Sequence, residues 1–163
     1  LLDEGIAIRD MRTIVQTLVE YAGRTQDTDV LTAAVRISLR RLIVQDISEG
    51  QQELPVITLA PELEQMLHQS LQAAGNEAEQ QGAGIEPGLA ERLQQSLKDV
   101  HQQQEMNGEP SVLLTSGLLR STMARFARHA TDGMRVLSYQ EIPDDKQIRI
   151  VSSIGGQQQP AAQ

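Results

Sequence analysis

The amino-acid sequence predicts an α+β or α/β protein, in which an N-terminal helical module is followed by a small α/β module with a mixed sheet. Apolar residues recur at helical spacing over residues 1–50. A β-branched apolar run of strand length begins at residue 54, and strand and helix patterns alternate over the last third of the chain. We therefore divide the 163 residues into a helical part at 1–50, an α/β part at 51–154 and a disordered tail at 155–163.

Two helices are expected in the helical module. The first ends near Gly23, and its apolar stripe consists of Met11, Ile14, Val15, Leu18, Val19 and Ala22. Capping side chains at residues 25–27 precede a second, longer helix, whose apolar face continues from Leu31 to Ile43. Because the joint is short, the two helices should pack against each other.

The α/β module is expected to begin with a strand at 54–59, followed by helices that start at Pro61 and at Pro87. Proline suits the first turn of a helix because the N–H that it lacks has no partner there. Between these helices, residues 73–84 contain three glycines and no apolar period. This composition predicts a mobile loop.

The last third of the chain predicts strand, helix and strand in succession. A strand at 111–115, a helix around 118–127 and a strand at 134–139 indicate a right-handed parallel crossover. A turn at 143–146 precedes a final strand at 147–154. That strand is expected to be antiparallel and near an edge of the sheet.

Composition excludes several classes of function. A net charge of −8 argues against a general nucleic-acid binder, and an aromatic content of 2% leaves little to stack on bases. Without cysteine there is no disulfide, thiolate metal site or cysteine nucleophile. No apolar run is long enough to span a bilayer. Since the chain opens with leucine rather than methionine, we expect it to be a piece of a longer protein.

The sequence predicts no catalytic, cofactor or metal site. Thr115-Ser116-Gly117 follows a strand and is the natural place for an anion, but the P-loop and Gly-x-Ser-x-Gly motifs are absent. We interpret Ser116 as a helix cap and Asp144-Asp145 as turn residues. Two alternatives stay open: a small anion- or nucleotide-binding α/β domain, and a free-standing cytosolic adaptor.

Five segments in order resemble the FlhA/InvA/YscV family, the export-gate proteins of flagellar and injectisome type III secretion. They are Ile8–Ile14, Leu31–Arg36, Gly84–Pro87, Val112–Ser116 with Arg120, and Val136–Ile142. The resemblance extends from residue 1 to about residue 154. One departure is Ala7, where family members commonly have a serine that caps the next helix. Losing that cap should cost about 1 kcal/mol.

The resemblance implies a non-enzymatic protein without a cofactor. It implies the cytoplasmic part of a bacterial inner-membrane protein, assembled into a homo-oligomeric, nonameric ring. The implied partners are neighbouring copies, secretion chaperones with their export substrates, and other proteins of the export apparatus. It also implies that the helical module supplies much of the contact between neighbours.

The candidate interface residues are charged side chains of the helical module: Arg9, Asp10, Arg12, Arg36, Arg40 and Arg41. The last three are expected to lie beside or away from the apolar face of the second helix. Residues 51–110 carry 2 basic and 10 acidic side chains. The three arginines are therefore expected either to meet this acidic stretch of a neighbour or to keep their helix solvated.

Overall fold

The computed structural model describes residues 1–81 and 87–155. After a short 3-10 turn at Leu2–Glu4, the helical part contains α1 (Met11–Ala22), α2 (Thr28–Ser38) and α3 (Arg40–Ser48). The expected second helix is thus two helices, because the backbone departs from helical geometry at Leu39. The break is slight, since Leu39 N–H still donates to the Val35 carbonyl at 2.9 Å.

The sheet has four strands: β1 (Glu53–Leu59), β2 (Val112–Thr115), β3 (Arg135–Ser138) and β4 (Gln147–Ile154). Their order is β3-β2-β1-β4. The predicted parallel pairing of the second and third strands is confirmed, and so is the edge position of the last strand.

The prediction of a mixed sheet with an antiparallel last strand is wrong. Strand β4 runs parallel to β1, with Leu54 opposite Ile148 and Leu59 opposite Ile154. Strands β3 and β4 lie on opposite edges of the sheet, so the connection at 139–146 cannot be a hairpin. It returns the chain to the side on which all four strands begin.

Three further helices accompany the sheet: α4 (Pro61–Gln81), α5 (Pro87–Met106) and α6 (Gly117–Ala130). Helix α4 continues through Gln81, so the predicted loop is wrong over residues 73–81. The rest of that loop, residues 82–84, lies outside the described residues. Residues 156–163 of the predicted tail also lie outside them. Alanine, glutamate and glutamine dominate residues 73–81, and their helix propensity outweighs the cost of about 1 kcal/mol for Gly75.

Each face of the sheet is covered by helices. On one face Ile57 and Leu113 pack in a core formed with α4, α5 and α6. On the other face Val56 and Leu114 share a core with Val35 and other residues of the helical part. The helical and α/β parts are therefore joined by a common apolar core. In residues 1–81 and 87–155, no helix has the length and apolar character needed to cross a membrane.

Candidate functional site

Helix α1 exposes most of its apolar stripe. Among the predicted stripe residues only Ile14 is buried, and the second inward-facing residue is Thr17. The Thr17 hydroxyl donates to the Thr13 carbonyl at 2.8 Å and lies 3.0 Å from the Ser38 hydroxyl on α2. The predicted packing of α1 against the second helix is therefore confirmed, but it covers only Ile14 of the apolar stripe.

The other apolar side chains of the α1 stripe are exposed. We define the α1 surface by four residues with their exposed fractions: Met11 51%, Val15 51%, Leu18 36% and Val19 73%. They are spaced three and four residues apart and therefore lie on one side of the helix. A contiguous exposed apolar patch of this kind is typical of a protein–protein contact.

The charged residues at the start of α1 have different surroundings. Arg9 is exposed and lies 3.5 Å from Asp46 on α3, and Arg12 is exposed. Asp10 caps α1, because its carboxylate accepts from the Thr13 N–H at 3.1 Å and from the Thr13 hydroxyl at 2.7 Å. These hydrogen bonds to Thr13 lower the pKa of Asp10.

The Asp10 cap also corrects the expectation for Ala7. Helix α1 begins at Met11, so residue 7 lies three positions before the cap and its side chain is not the one that bonds the first turn. The predicted loss of a helix cap at Ala7 is therefore wrong.

The three arginines predicted as a solvent-facing row do not lie together in the same environment. Arg36 is 2% exposed and lies inside the molecule, so its prediction as a surface residue is wrong. Arg40 is half-buried. Arg41 is exposed, with its guanidinium 3.7 Å from the Asp145 carboxylate. Helical spacing places Arg36 next to the buried Val35. The spacing alone does not reveal which residue pairs with the charge of Arg36.

That partner is Glu141, which is 1% exposed and follows β3. Arg36 Nε donates to Glu141 Oε1 at 3.0 Å, and Arg36 Nη2 donates to Oε2 at 2.8 Å. Two more side chains complete a charge cluster: Glu4 Oε2 lies 2.6 Å from both Arg36 Nη1 and Arg120 Nη1. Two arginines therefore balance two glutamates.

The pKa of Glu4 reflects two opposing effects. Burial raises it, whereas the positive charges of Arg36 and Arg120 lower it more, so the pKa lies below its ordinary value. Glu4 is thus ionised in the cluster. Sequence patterns do not identify Glu4 and Glu141 as partners, because they lie 32 and 105 residues from Arg36.

The carboxyl end of β2 is the second place where polar side chains converge. Ser116 occupies the N-cap position of α6, but its side chain makes no capping hydrogen bond. Instead, the Ser116 N–H donates to Glu64 Oε1 at 3.1 Å, and the Ser116 hydroxyl lies 3.0 Å from His68 Nε2. The predicted capping role of the Ser116 side chain is therefore wrong.

This arrangement does not favour the anion-binding alternative. The carboxylate of Glu64 already accepts from the amide at the start of α6, where a bound anion would lie. None of the ion pairs within the described residues includes His68.

The sequence contains a signal for this contact in the spacing of Glu64 and His68. The two residues lie four positions apart in the first turns of α4, which directly follows β1. Since β1 is the parallel neighbour of β2, the ends of the two strands place α4 beside Ser116. The signal becomes readable only once this strand pairing is known.

No group of three or more potential metal ligands occurs within the described part of the chain. Asp145, one of the two predicted turn residues, lies 3.7 Å from Arg41.

Comparisons with known proteins give consistent matches. The sequence profile of the FHIPEP family matches residues 1–147. The flagellar biosynthesis protein FlhA of Yersinia enterocolitica is 46% identical over 155 residues, which are 95% of this chain and 21% of that protein. FlhA of Escherichia coli K12 is 44% identical, over 96% of this chain and 21% of that protein. The chain thus spans about one fifth of the length of the curated relatives that it matches.

Solved structures share the fold. The Shigella flexneri MxiA protein superposes with a TM-score of 0.79 at 25% identity, over 94% of this chain and 48% of that chain. The nonameric SctV-C of EPEC, solved by cryo-EM, gives a TM-score of 0.75 at 26% identity. The match covers 94% of this chain and 45% of the SctV-C chain. A chain of the Chlamydia pneumoniae CdsV and CdsO complex gives a TM-score of 0.70 at 28% identity. The match covers 91% of this chain and 42% of that chain.

Proposed function

This chain belongs to the FHIPEP family, and we propose that it forms part of the cytoplasmic ring of a type III secretion export gate. The nonameric assembly of the EPEC relative supports the ring. The sequence is 44–46% identical to the flagellar proteins but only 25–28% identical to these solved structures. This difference favours a flagellar gate.

The α1 surface is the observation that carries this proposal. Exposure of four apolar side chains on one side of a helix to water is unfavourable. A partner that covers them therefore lowers the free energy of the complex. Inside the described chain α1 packs chiefly on α2. We propose that a neighbouring copy of the protein covers the outer side of α1 in the ring.

Charged residues near the α1 surface fit the edge of such a contact. Arg9 and Arg12 are exposed beside it, Asp10 holds the start of the helix, and Arg40 and Arg41 lie farther along the helical part. Charges at the edge of an interface determine orientation and association rate more than affinity. We propose that these arginines align the neighbouring copies, whereas the α1 surface supplies the affinity.

The test is ring assembly by the full-length protein that carries Val15→Glu and Val19→Glu. Both side chains are exposed, and glutamate has a better helix propensity than valine, so α1 itself should remain folded. The expected result is loss of the ring in native mass spectrometry and electron microscopy, with an unchanged circular dichroism spectrum.

Met66→Glu is the matched control. Met66 is 50% exposed on α4, nearly the same as Val15 at 51%, but it lies outside the α1 surface. This variant should still form the ring. A ring that survives the double substitution on α1 would contradict the proposed contact.

We also propose that the assembled ring receives chaperone-bound export substrates, as expected for a flagellar export gate. The flagellar names of the sequence relatives support this role. Cells that carry only the α1 double variant should secrete less flagellar protein than cells with Met66→Glu. Normal secretion without a ring would show that this step does not need the ring.

A further inference from the structure

The first six residues form a compact turn against the junction of the two parts of the molecule. The amide of Gly5 donates to the Leu2 carbonyl at 3.0 Å, and the amide of Ile6 donates to the Leu1 carbonyl at 3.1 Å. Ile6 is buried in the core shared by the helical part and the sheet. We call residues Leu1–Ile6 the strap.

The strap is attached through polar contacts at Glu4 and Gly5. The Glu4 carboxylate accepts from Arg36 and Arg120, and the Glu4 carbonyl accepts from Arg135 Nη1 at 2.5 Å. Gly5 has a φ of +70°, and a Cβ at this position would lie 2.8 Å from Arg135 Nη1. The strap is thus attached through the Glu4 carboxylate and carbonyl, and the positive φ of Gly5 disfavours a side chain at residue 5.

A second tie holds the helical part to the sheet without the strap. Arg36 and Glu141 are 2% and 1% exposed and share three hydrogen bonds, whereas the Glu4 side chain is 19% exposed. If the strap detaches from the rest of the molecule, the hydrogen bonds from Arg36 to both carboxylate oxygens of Glu141 remain. Release of the strap thus does not require the two parts to separate.

A cleft of about 410 Å³ lies beside the strap. Gly5 and Ile6 line it together with Ile43 and Ile47 of α3 and with Arg135, whose Nη1 also contacts the Glu4 carbonyl. Since the strap forms a wall of this cleft, its departure enlarges the opening at the junction.

We propose that the strap is a releasable tie, closed by Glu4, that sets how firmly the start of α1 is held against the sheet. Only residues 7–10 separate the strap from α1, so a closed strap restricts the position of the α1 surface. This regulation of the α1 surface rests on the proposed function, whereas the opening of the strap itself does not.

Hydrogen exchange of the full-length protein tests the tie. Glu4→Gln keeps the size of the side chain and removes its charge. The amides of Gly5 and Ile6 should then exchange about 10- to 100-fold faster, the factor expected from a lost hydrogen bond to a charged group. The amides of Leu39 and Ile43, bonded within the helical part, should change by less than about twofold.

Two further variants keep the test decisive. Gly5→Ala should also accelerate exchange at Ile6, because alanine is strained at a φ of +70° and its Cβ would displace Arg135 from the Glu4 carbonyl, while the Glu4 side chain is unchanged. Glu20→Gln removes an exposed carboxylate from α1 and should leave the strap unchanged. Unchanged exchange in both strap variants would overturn the tie, and so would equal acceleration throughout the molecule, since the strap would then open only with global unfolding.

Ring assembly separates this proposal from the proposed function. Glu4→Gln should weaken the ring, seen as a higher protein concentration at half-assembly in native mass spectrometry. If the strap opens and the ring is unaffected, the link to the α1 surface is overturned. If the ring withstands Val15→Glu with Val19→Glu while the strap responds as expected, the proposed contact fails and the tie stands.

Discussion

Arg36 and Glu141 form a two-pronged ion pair that joins helix α2 to the segment after β3. Nη2 lies 2.8 Å from Oε2, and Nε lies 3.0 Å from Oε1. The same Nη2 also donates to the Val136 carbonyl at 3.0 Å. Because a guanidinium matches a carboxylate in this geometry, the pair fixes both the distance and the rotation of α2 relative to the sheet.

Removing Arg36 should destabilise the fold strongly. In Arg36→Met the Glu141 carboxylate stays buried, with the Ser138 hydroxyl at 3.3 Å and a single cationic neighbour, Arg120 Nε, at 3.6 Å. Breaking a buried pair from one side costs about 3–5 kcal/mol. Urea denaturation should show this loss, whereas Arg41→Met, which removes an exposed pair at 3.7 Å, should cost less than about 1 kcal/mol. Similar losses in the two variants would show that the buried pair contributes no more than a surface pair.

The contribution of Glu4 to stability should disappear in acid. Its pKa in the folded state lies below the ordinary value of 4.5, so the charge cluster stabilises the fold above that pH. As the pH falls through the folded pKa, Glu4 binds a proton and the contribution is lost. The free energy of unfolding should therefore differ between the unsubstituted protein and Glu4→Gln near neutral pH, and this difference should shrink below about pH 4.5. A difference that stays constant in strong acid would contradict ionic attachment of the strap.

Elements of the fold that depend on local sequence were predictable. Strand β4 has the predicted bounds, and α4 and α5 begin at the predicted prolines Pro61 and Pro87. Apolar spacing and the backbone chemistry of proline act within a few residues, so one sequence suffices to read them. The direction of β4 depends on which edge of the sheet it joins, and this is decided by contacts between distant segments.

The candidate site was less predictable for the same reason. An apolar stripe such as that of α1 predicts burial. It does not show whether the surface that buries the stripe belongs to the same chain or to another one. Arg36 shows the opposite case, because a charged residue is expected at the surface unless its distant partner is known. Burial of Arg36 follows only once β3 places Glu141 beside α2.

The start of α6 should depend more on Glu64 than on Ser116. Glu64→Ala removes a charged acceptor from the Ser116 amide, whereas Ser116→Ala removes only the hydroxyl contact with His68. Hydrogen bonds to a charged group are about twice as strong as neutral ones. Thermal denaturation should therefore show a larger fall in Tm for Glu64→Ala. A larger fall in Tm for Ser116→Ala would contradict this order and show that the hydroxyl contact with His68 contributes more than the Glu64 hydrogen bond.

The ionisation of Tyr139 gives an independent measure of the Glu64 charge. Burial raises the pKa of Tyr139, and the negative charge of Glu64 raises it further. In Glu64→Gln the pKa should fall part of the way toward 10, because burial remains. Ultraviolet titration of each protein, corrected with its Tyr139→Phe counterpart for the signal of Tyr21, measures this change. An unaltered pKa would place Glu64 too far away to act on Tyr139.

Two glycines with similar backbone angles should respond differently to substitution. Gly155 and Gly50 have φ values of +81° and +78°, so alanine at either position costs about 1–2 kcal/mol in the left-handed conformation. At Gly50 an added Cβ meets nothing within 4 Å, whereas at Gly155 it would lie 2.7 Å from Leu63 Cδ2 and 3.0 Å from Leu63 Cβ.

Leu63 belongs to the core between α4 and the sheet, so it cannot move aside without disturbing its neighbours. Overpacking of this kind costs about a further 1–3 kcal/mol. Gly155→Ala should therefore lower the free energy of unfolding by more than Gly50→Ala in chemical denaturation. Equal losses would mean that the backbone angle accounts for the whole effect and that the end of β4 shifts away from Leu63 when a side chain is added.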